Sequence, residues 1–329
     1  MNKSFLITGA SGYIASRLIP ALVKQGYNLT GLDRASHQPT GLRNFICGDL
    51  NDPEAVDKAL EGIDGIFHLA AAKGDWGISD AEYIDDNVNG TKVLLDRATN
   101  AGIKNWIFYS TVAVLGSGDT PRNDSAPLAP ENPYGRSKAA CEELFEKACE
   151  QDRELKVIAL RPSAVFGENH PDSTNVFRLI EGIRNKRFLM VGDGKVIKTT
   201  AYIENLIAAH LFLIDLPLDE GFHPFLYVDS PNWSTEKLSR TIADELGVRW
   251  IGPRVPLGVA ATLGSLGDMA ASISGIDLPV TSARIRKFCT PTAFDPAKLR
   301  QAGFEQPVPL EVAVSTTVRW HLGVDVRSR

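Results

Sequence analysis

A phenol and an ammonium one helical turn apart can do proton chemistry, and Tyr134-Gly-Arg-Ser-Lys138 offers that pair. Residues at i and i+4 share a helix face, so the spacing brings Lys138 close to the Tyr134 hydroxyl. An unperturbed tyrosine, with a pKa of about 10, is a poor base at neutral pH. A neighbouring cation favours the phenolate and moves it toward the range useful for acid–base catalysis. Asn132 suits an N-cap and Pro133 the first helical position. Alone, the pattern is common on solvated helix faces, so its meaning depends on what surrounds it.

A second cluster lies at the start of the chain. Thr8-Gly9-Ala-Ser11-Gly12-Tyr13-Ile14-Ala15 follows an apolar run and opens a helical pattern. Glycines there permit a tight turn and let backbone approach a pyrophosphate, which a helix N-terminus attracts. Asp33 ends the next strand, 24 residues after Gly9, where an acidic side chain binds adenosine ribose hydroxyls. Its charge repels the 2′-phosphate of NADP and favours NAD, whereas Arg34 beside it could attract that phosphate. Asp49, after Gly48, could read the adenine edge.

Strands are expected at Ser4–Thr8, Asn28–Asp33, Asn44–Cys47, Gly65–Ala70, Asn105–Ser110 and Val157–Leu160. Helices are expected between most of them, at Tyr13–Lys24, Pro53–Leu60, Asp80–Ala101 and Tyr134–Glu150. Ser79 and Glu82 form a capping box before the third, and Gly102 closes it. This alternation implies an α/β fold, a Rossmann-type doubly wound parallel sheet. Later helical patterns at 175–186, 203–213, 235–245, 282–289 and 309–321 suggest a smaller, mostly helical C-terminal lobe. The expected division is a dinucleotide-binding domain over 1–165, with segments near 196–230 returning to it, and a substrate lobe over 166–329.

Composition excludes other classes. With 43% hydrophobic and 23% charged residues and a formal charge of −5, the 329-residue chain is ordinary for a globular protein and carries no electrostatic footprint for nucleic acid. Four cysteines without a CxxC pattern and six scattered histidines argue against a disulfide framework and against a metal site. The apolar run near the N-terminus is too short for a signal-peptide core. Leu257–Ile276 is the most membrane-like stretch, but Asp268 and its many small residues read as a helix packed over a cleft. A soluble cytoplasmic protein without membrane contact is expected.

In chain order, TGxxGxxA, Asp33, Gly48-Asp49, His68-Leu69-Ala70-Ala71, Asn87-Val-Asn-Gly-Thr91, Ser110-Thr111, Tyr134-x-x-x-Lys138, Arg161-Pro162, Gly192-Asp-Gly194 and Tyr202-Ile-Glu-Asn205 resemble the extended short-chain dehydrogenase/reductase family, in its NAD-dependent epimerase/dehydratase branch. The resemblance implies that Tyr134 is the acid/base, that Lys138 lowers its pKa and holds the nicotinamide ribose, and that Thr111, five residues before Gly116, bonds the reacting substrate oxygen. It places Gly9, Ser11, Gly12, Tyr13, Ile14, Asp33, Arg34, Asp49, Leu50, Leu69, Ala70, Ala71, Lys73 and Asn87 at the cofactor, with Asn87 bracing the active-site helix and Pro162 shaping the nicotinamide pocket. It assigns Trp76, Thr111, Lys198 and Arg284 to the substrate, the last two as phosphate contacts that could equally be surface charges. A homodimer through the helix after Asp80 and the helix of Tyr134 is also implied.

Departures narrow the reaction. Sugar 4,6-dehydratases carry Asp-Glu after the catalytic Thr, and UDP-glucuronate decarboxylases a Glu in the same region; here Val112 and Ala113 follow Thr111. Hydride transfer alone is left. The leading expectation is an NAD-dependent sugar-nucleotide epimerase working at C4 through a transient keto sugar. The alternatives are a one-way NAD(P)-dependent dehydrogenase or reductase of an alcohol or ketone, as in the sterol and flavonoid branches, and a dinucleotide-binding regulator without catalysis.

Overall fold

Seven short runs rich in branched and aromatic residues pair into one sheet: β1 (Ser4–Thr8), β2 (Asn28–Asp33), β3 (Asn44–Cys47), β4 (Gly65–His68), β5 (Asn105–Tyr109), β6 (Lys156–Pro162) and β7 (Gly221–Tyr227). The computed structural model describes residues 3–324 except 75–76, 172–173, 250, 275–280, 283–284 and 286–288, and of Asp119, Ile273 and Ser274 it describes the backbone alone. The spatial order is β7-β6-β5-β4-β1-β2-β3, and every pairing is parallel. Successive side chains point to opposite faces. Phe5 and Ile7 therefore enter one core with Phe67, Ile107 and Ile158, while Leu6 enters the other with Ile66, Phe108 and Val157.

Helices cover both faces, as an all-parallel sheet requires. Those of the first half are α1 (Tyr13–Lys24), α2 (Pro53–Ala59), α3 (Asp80–Tyr83), α4 (Gly90–Asn100) and α5 (Pro133–Gln151). Leu18, Ile19 and Leu22 of α1 pack into the first core; Leu94, Leu95 and Ala98 of α4 and Cys141 and Phe145 of α5 pack into the second. The later helices are α6 (Asn175–Arg184), α7 (Ile203–Asp215), α8 (Thr235–Glu245), α9 (Leu257–Ser274), α10 (Ala297–Gln301) and α11 (Leu310–His321). Of these, α7 lies against α1 on the sheet, and α6, α8 and α11 pack together.

Three differences from the sequence reading have physical causes. The helix expected over Asp80–Ala101 begins with the Ser79–Glu82 capping box but widens into a π-helical turn, Ile84–Asn89, before α4. β7 was not anticipated, because Pro224 interrupts its pattern. It is an edge strand paired only with β6, where a missing ladder donor is tolerated. α9 forms, but instead of packing its large apolar side chains over a cleft it buries Ala260 and Ala271 and exposes Leu257, Val259, Leu263, Leu266 and Met269. The helix expected at 282–289 falls partly outside the described residues. A four-stranded sheet joins strands 233–234, 197–198, 292–295 and 118–123 in that order.

Candidate active site

From β1 the chain runs outward through β2 and β3, then returns to β4 on the other side of β1. The carboxyl ends of β1 and β4 flank the crevice where a doubly wound sheet takes its ligand. Gly9 turns the chain there with φ +68, its N–H donating to the Leu32 carbonyl at 2.9 Å. A Cβ on Gly9 would lie 2.8 Å from both Cα and N of Ala70, so only glycine lets this turn pass so close to the end of β4. Gly12 is the N-cap of α1 and offers no side-chain cap, which leaves the first-turn N–H groups for an anion. Ser11 is exposed at the turn, and Tyr13 and Ile14 are half-buried in the first turn of the helix.

Asp33 holds this turn and the loop after β2: its carboxylate accepts the N–H of Ser11 at 3.0 Å and of Ala35 at 2.8 Å. Arg34 is engaged elsewhere. Its guanidinium pairs with Asp49 at 2.6 Å and with Asp86, and those two carboxylates hold its pKa above the ordinary value. Burial works to raise the Asp49 carboxyl, but the Asn51 N–H and the Arg34 guanidinium outweigh it and leave that pKa lowered. An arginine between two carboxylates is a poor receptor for a 2′-phosphate, and Asp49 has spent one oxygen on Arg34 and the other on Asn51. The donor set, an acidic Asp33 with a neutralised Arg34, fits NAD.

Along the run after β4, Leu69 and Ala70 are half-buried while Ala71 and Lys73 are exposed; Leu50, beyond β3, is buried. Asn87 sits in the π turn and ties that run to α5. Its Oδ1 accepts the Ala72 N–H at 2.7 Å, and its Nδ2 donates to the Ala72 carbonyl at 3.2 Å and to Ser137 Oγ at 2.9 Å. Ser137 in turn donates to the Tyr134 carbonyl at 2.9 Å. The Asn87 carbonyl also accepts from Thr91 Oγ1 at 2.5 Å and from Cys141 Sγ at 3.2 Å. Asn87 therefore braces α5, the helix of Tyr134 and Lys138, through backbone and side chain together.

The start of α5 places Tyr134. Asn132 caps it, accepting the Gly135 N–H at 2.7 Å, a contribution of about 1 kcal/mol. A Cβ on Gly135 would lie 2.7 Å from the Ala113 carbonyl oxygen, so glycine lets the helix start against the turn that follows Thr111. Thr111 caps that turn, Val112–Leu115, by accepting the Ala113 N–H at 3.2 Å. Neighbouring Ser110 is buried, and its Oγ has no hydrogen-bond partner among the described residues. Pro162 ends β6, buried, at the same edge of the sheet.

The electrostatics differ from the sequence expectation. Lys138 is only 1% exposed, with its Nζ 4.1 Å from the centre of the Phe108 ring. Burial lowers its pKa to about 8, against the pull of Cys141 and Glu142. The Tyr134 phenol is pushed up, first by burial and then by Tyr83 and Cys141. The rings of Tyr83 and Tyr134 lie 6.1 Å apart. A lysine buried over an aromatic ring does not by itself activate the tyrosine: loss of water disfavours the phenolate more than that charge favours it.

Sequence reasoning left other members without a role. His68 is buried between Thr8 Oγ1 at 2.7 Å and Thr91 Oγ1 at 2.9 Å, and burial followed by the Lys138 charge holds its pKa well below the ordinary value. A neutral imidazole thus links the glycine turn to the Asn87 turn. Beneath the site, Arg161 makes a bidentate pair with Glu142 of α5 at 2.9 and 2.6 Å. The predicted phosphate contact Lys198 donates through Nζ to the Thr290 carbonyl, on the four-stranded sheet. Trp76 and Arg284 lie outside the described residues. All four cysteines are unpaired.

Comparison with known proteins agrees with this geometry. A profile of the NAD dependent epimerase/dehydratase family matches residues 5–223. The chain is 31% identical over 324 residues to N-acetyl-alpha-D-glucosaminyl-diphospho-ditrans,octacis-undecaprenol 4-epimerase of Escherichia coli O157:H7, covering 97% of this chain and 96% of that one. It is 28% identical to 2-alkyl-3-oxoalkanoate reductase of Stenotrophomonas maltophilia, covering 93% and 96%. Among solved structures, MoeE5 in complex with UDP-glucose and NAD superposes with a TM-score of 0.79 at 26% identity, over 97% of this chain and 99% of that one. The chain belongs to the NAD-dependent epimerase/dehydratase family of extended short-chain dehydrogenases/reductases.

Proposed function

We propose that this protein is an NAD-dependent epimerase that inverts C4 of a sugar joined to a diphosphate, through a transient 4-keto sugar. The observation that carries the reading is a complete set of Thr111, Tyr134 and Lys138 at the ends of β5 and α5, with the uncharged Val112 and Ala113 after Thr111. Without a carboxylate there, the site lacks an acid and base for expelling water. The Escherichia coli relative is named as a 4-epimerase of a diphospho-sugar, and the solved neighbour holds UDP-glucose; a sugar on a diphosphate is common to both.

Gly9, Gly12 and the first turn of α1 would hold the cofactor pyrophosphate, Asp33 the adenosine ribose, Lys138 the nicotinamide ribose, and Pro162 a wall of the ring pocket. When bound, NAD supplies a hydride acceptor and donor and, oxidised, a positive charge that favours the phenolate which burial disfavours. Tyr134 takes the C4 hydroxyl proton on its own oxygen and returns it after the keto sugar has presented its other face. Thr111 hydrogen-bonds the oxygen that becomes the carbonyl. Lys138, charged below its pKa of about 8, supports the phenolate within the completed site. Asn87 and Ser137 act as positioning residues.

Incubation with a panel of diphospho-sugars tests this reading. C4 epimers should interconvert with no net change in nicotinamide absorbance, and Tyr134→Phe should slow turnover roughly 10²–10⁴-fold. Wild-type turnover by that variant would sink the mechanism. A one-way reductase is the second reading, favoured by the full-length similarity to the Stenotrophomonas maltophilia reductase. A steady, stoichiometric absorbance change with a ketone would select it.

A further inference from the structure

α9 carries its large apolar side chains outward. Leu257, Val259, Leu263, Leu266 and Met269 are 57, 52, 41, 56 and 61% exposed, five of the eleven exposed large hydrophobics among the described residues. At about 100° per residue, Val259, Leu263, Leu266 and Met269 fall in one arc of roughly 120°, opposite the buried Ala260, Gly264 and Ala271. A helix that faces water is patterned the other way round. Its one charged residue, Asp268, accepts the Ser282 N–H at 3.1 Å. A Cβ on Gly264 would lie 2.9 Å from Ser282 Cα and from Ile285 Cδ1, so the following arm of chain packs closely on the small-residue side and leaves the apolar face outward.

The chemistry of the helix and its flanks indicates what covers this face. The large exposed side chains of the helix are aliphatic apart from Met269, and such side chains suit acyl chains. Its flanking sequence is basic in an acidic protein: from Arg249 to Cys289 the chain, of formal charge −5, holds five Lys or Arg against two Asp, one of the five, Arg254, paired with Glu236. Lys186, Arg187 and Arg249 are exposed beside the paired strands 190–191 and 254–255 that lead into α9. Among the described residues no helix is long and apolar enough to cross a membrane, so such a helix lies in the interface rather than through it.

We propose that α9 seats this protein on an anionic lipid bilayer, and that the diphospho-sugar it epimerises is carried by a membrane lipid. The substrate half of this proposal rests on the epimerase reading above. The arm that packs on α9 runs into Thr290, whose carbonyl accepts from Lys198, and Thr292 pairs with Lys198 in the small sheet. The stretch of chain that follows α9 therefore ends against the candidate diphosphate contact.

Flotation of the full chain with phosphatidylcholine vesicles, with and without phosphatidylglycerol, tests the docking. The wild type should float with the anionic vesicles. Leu263→Glu/Leu266→Glu, which alters exposed positions only, should cut the bound fraction at least about tenfold. The same variant should epimerise a water-soluble nucleotide sugar at the wild-type rate and a polyprenyl-diphospho-sugar in anionic vesicles at least about tenfold more slowly. Wild-type protein that stays in the dense fraction, or a variant that floats equally well, overturns the docking. So does a wild-type dimer that the variant converts to monomer without vesicle binding, which would assign the face to a second copy. Equal rates of wild type and variant on the lipid-linked sugar overturn the substrate half. Flotation needs no catalysis, so floating protein that epimerises neither sugar contradicts the functional reading and leaves the docking intact.

Discussion

Replacing Lys138 with methionine should make the protein more stable while disabling it. The ammonium is 1% exposed and rests over Phe108, and burial lowers its pKa to about 8 from 10.5. Every tenfold weakening of proton binding corresponds to ~1.4 kcal/mol, so keeping the charge buried costs about 3 kcal/mol wherever both folded and unfolded chains are protonated, that is, below pH 8. A depressed lysine pKa means that the folded state holds fewer protons than the unfolded state between about 8 and 10.5. The cost therefore fades as pH rises through that window. Lys138→Met removes the cost and loses a cation–π contact worth about 1 kcal/mol, for a net gain of about 2 kcal/mol at pH 7. Urea unfolding of the cofactor-free protein at pH 7 and pH 9.5 reads both effects. The advantage of the variant should shrink by about 2 kcal/mol between those pH values, and its turnover should fall roughly 10²-fold or more. A variant no more stable than wild type at pH 7, or an advantage that ignores pH, would refute the claim that Lys138 is held charged at a cost.

Gly9→Ala should weaken dinucleotide binding at least about tenfold in fluorescence titration, because the new Cβ meets the Ala70 backbone at 2.8 Å and φ +68 disfavours any residue but glycine. Asp33→Asn should raise the preference for NADP over NAD by about tenfold, measured as a ratio of dissociation constants, since it removes the charge that repels a 2′-phosphate. Glu142→Gln should lower stability by about 3 kcal/mol, read from the urea midpoint, because it leaves Arg161, 4% exposed, without its carboxylate.

Much of the site was legible because its chemistry depends on local spacing. The turn Thr8–Ala15, the cap at Asn132 and the Tyr134/Lys138 interval each act within one or two turns of chain, and the structure forms the turn against the end of β4 and the cap at the start of α5. What escaped depends on three-dimensional surroundings. Burial of Lys138 and the raised Tyr134 phenol follow from packing against Phe108 and Tyr83, which i, i+4 spacing does not encode. The π turn at Ile84–Asn89 keeps a helical hydrophobic pattern while widening the helix before α4. β7 was hidden by Pro224, a residue that only its edge position excuses. The Arg161–Glu142 pair joins β6 to α5 across the sheet, and two charges nineteen residues apart ordinarily read as separate surface groups. α9 showed its apolar content in the sequence, but not that its large side chains face outward.

The most direct test of reversible oxidation at C4 is the fate of the hydrogen on that carbon. A diphospho-sugar deuterated at C4, incubated with the purified protein in ordinary water, should yield both epimers with the label still at C4 and no net change in nicotinamide absorbance. Loss of deuterium to water, or product formed with stoichiometric consumption of the cofactor, would contradict the account.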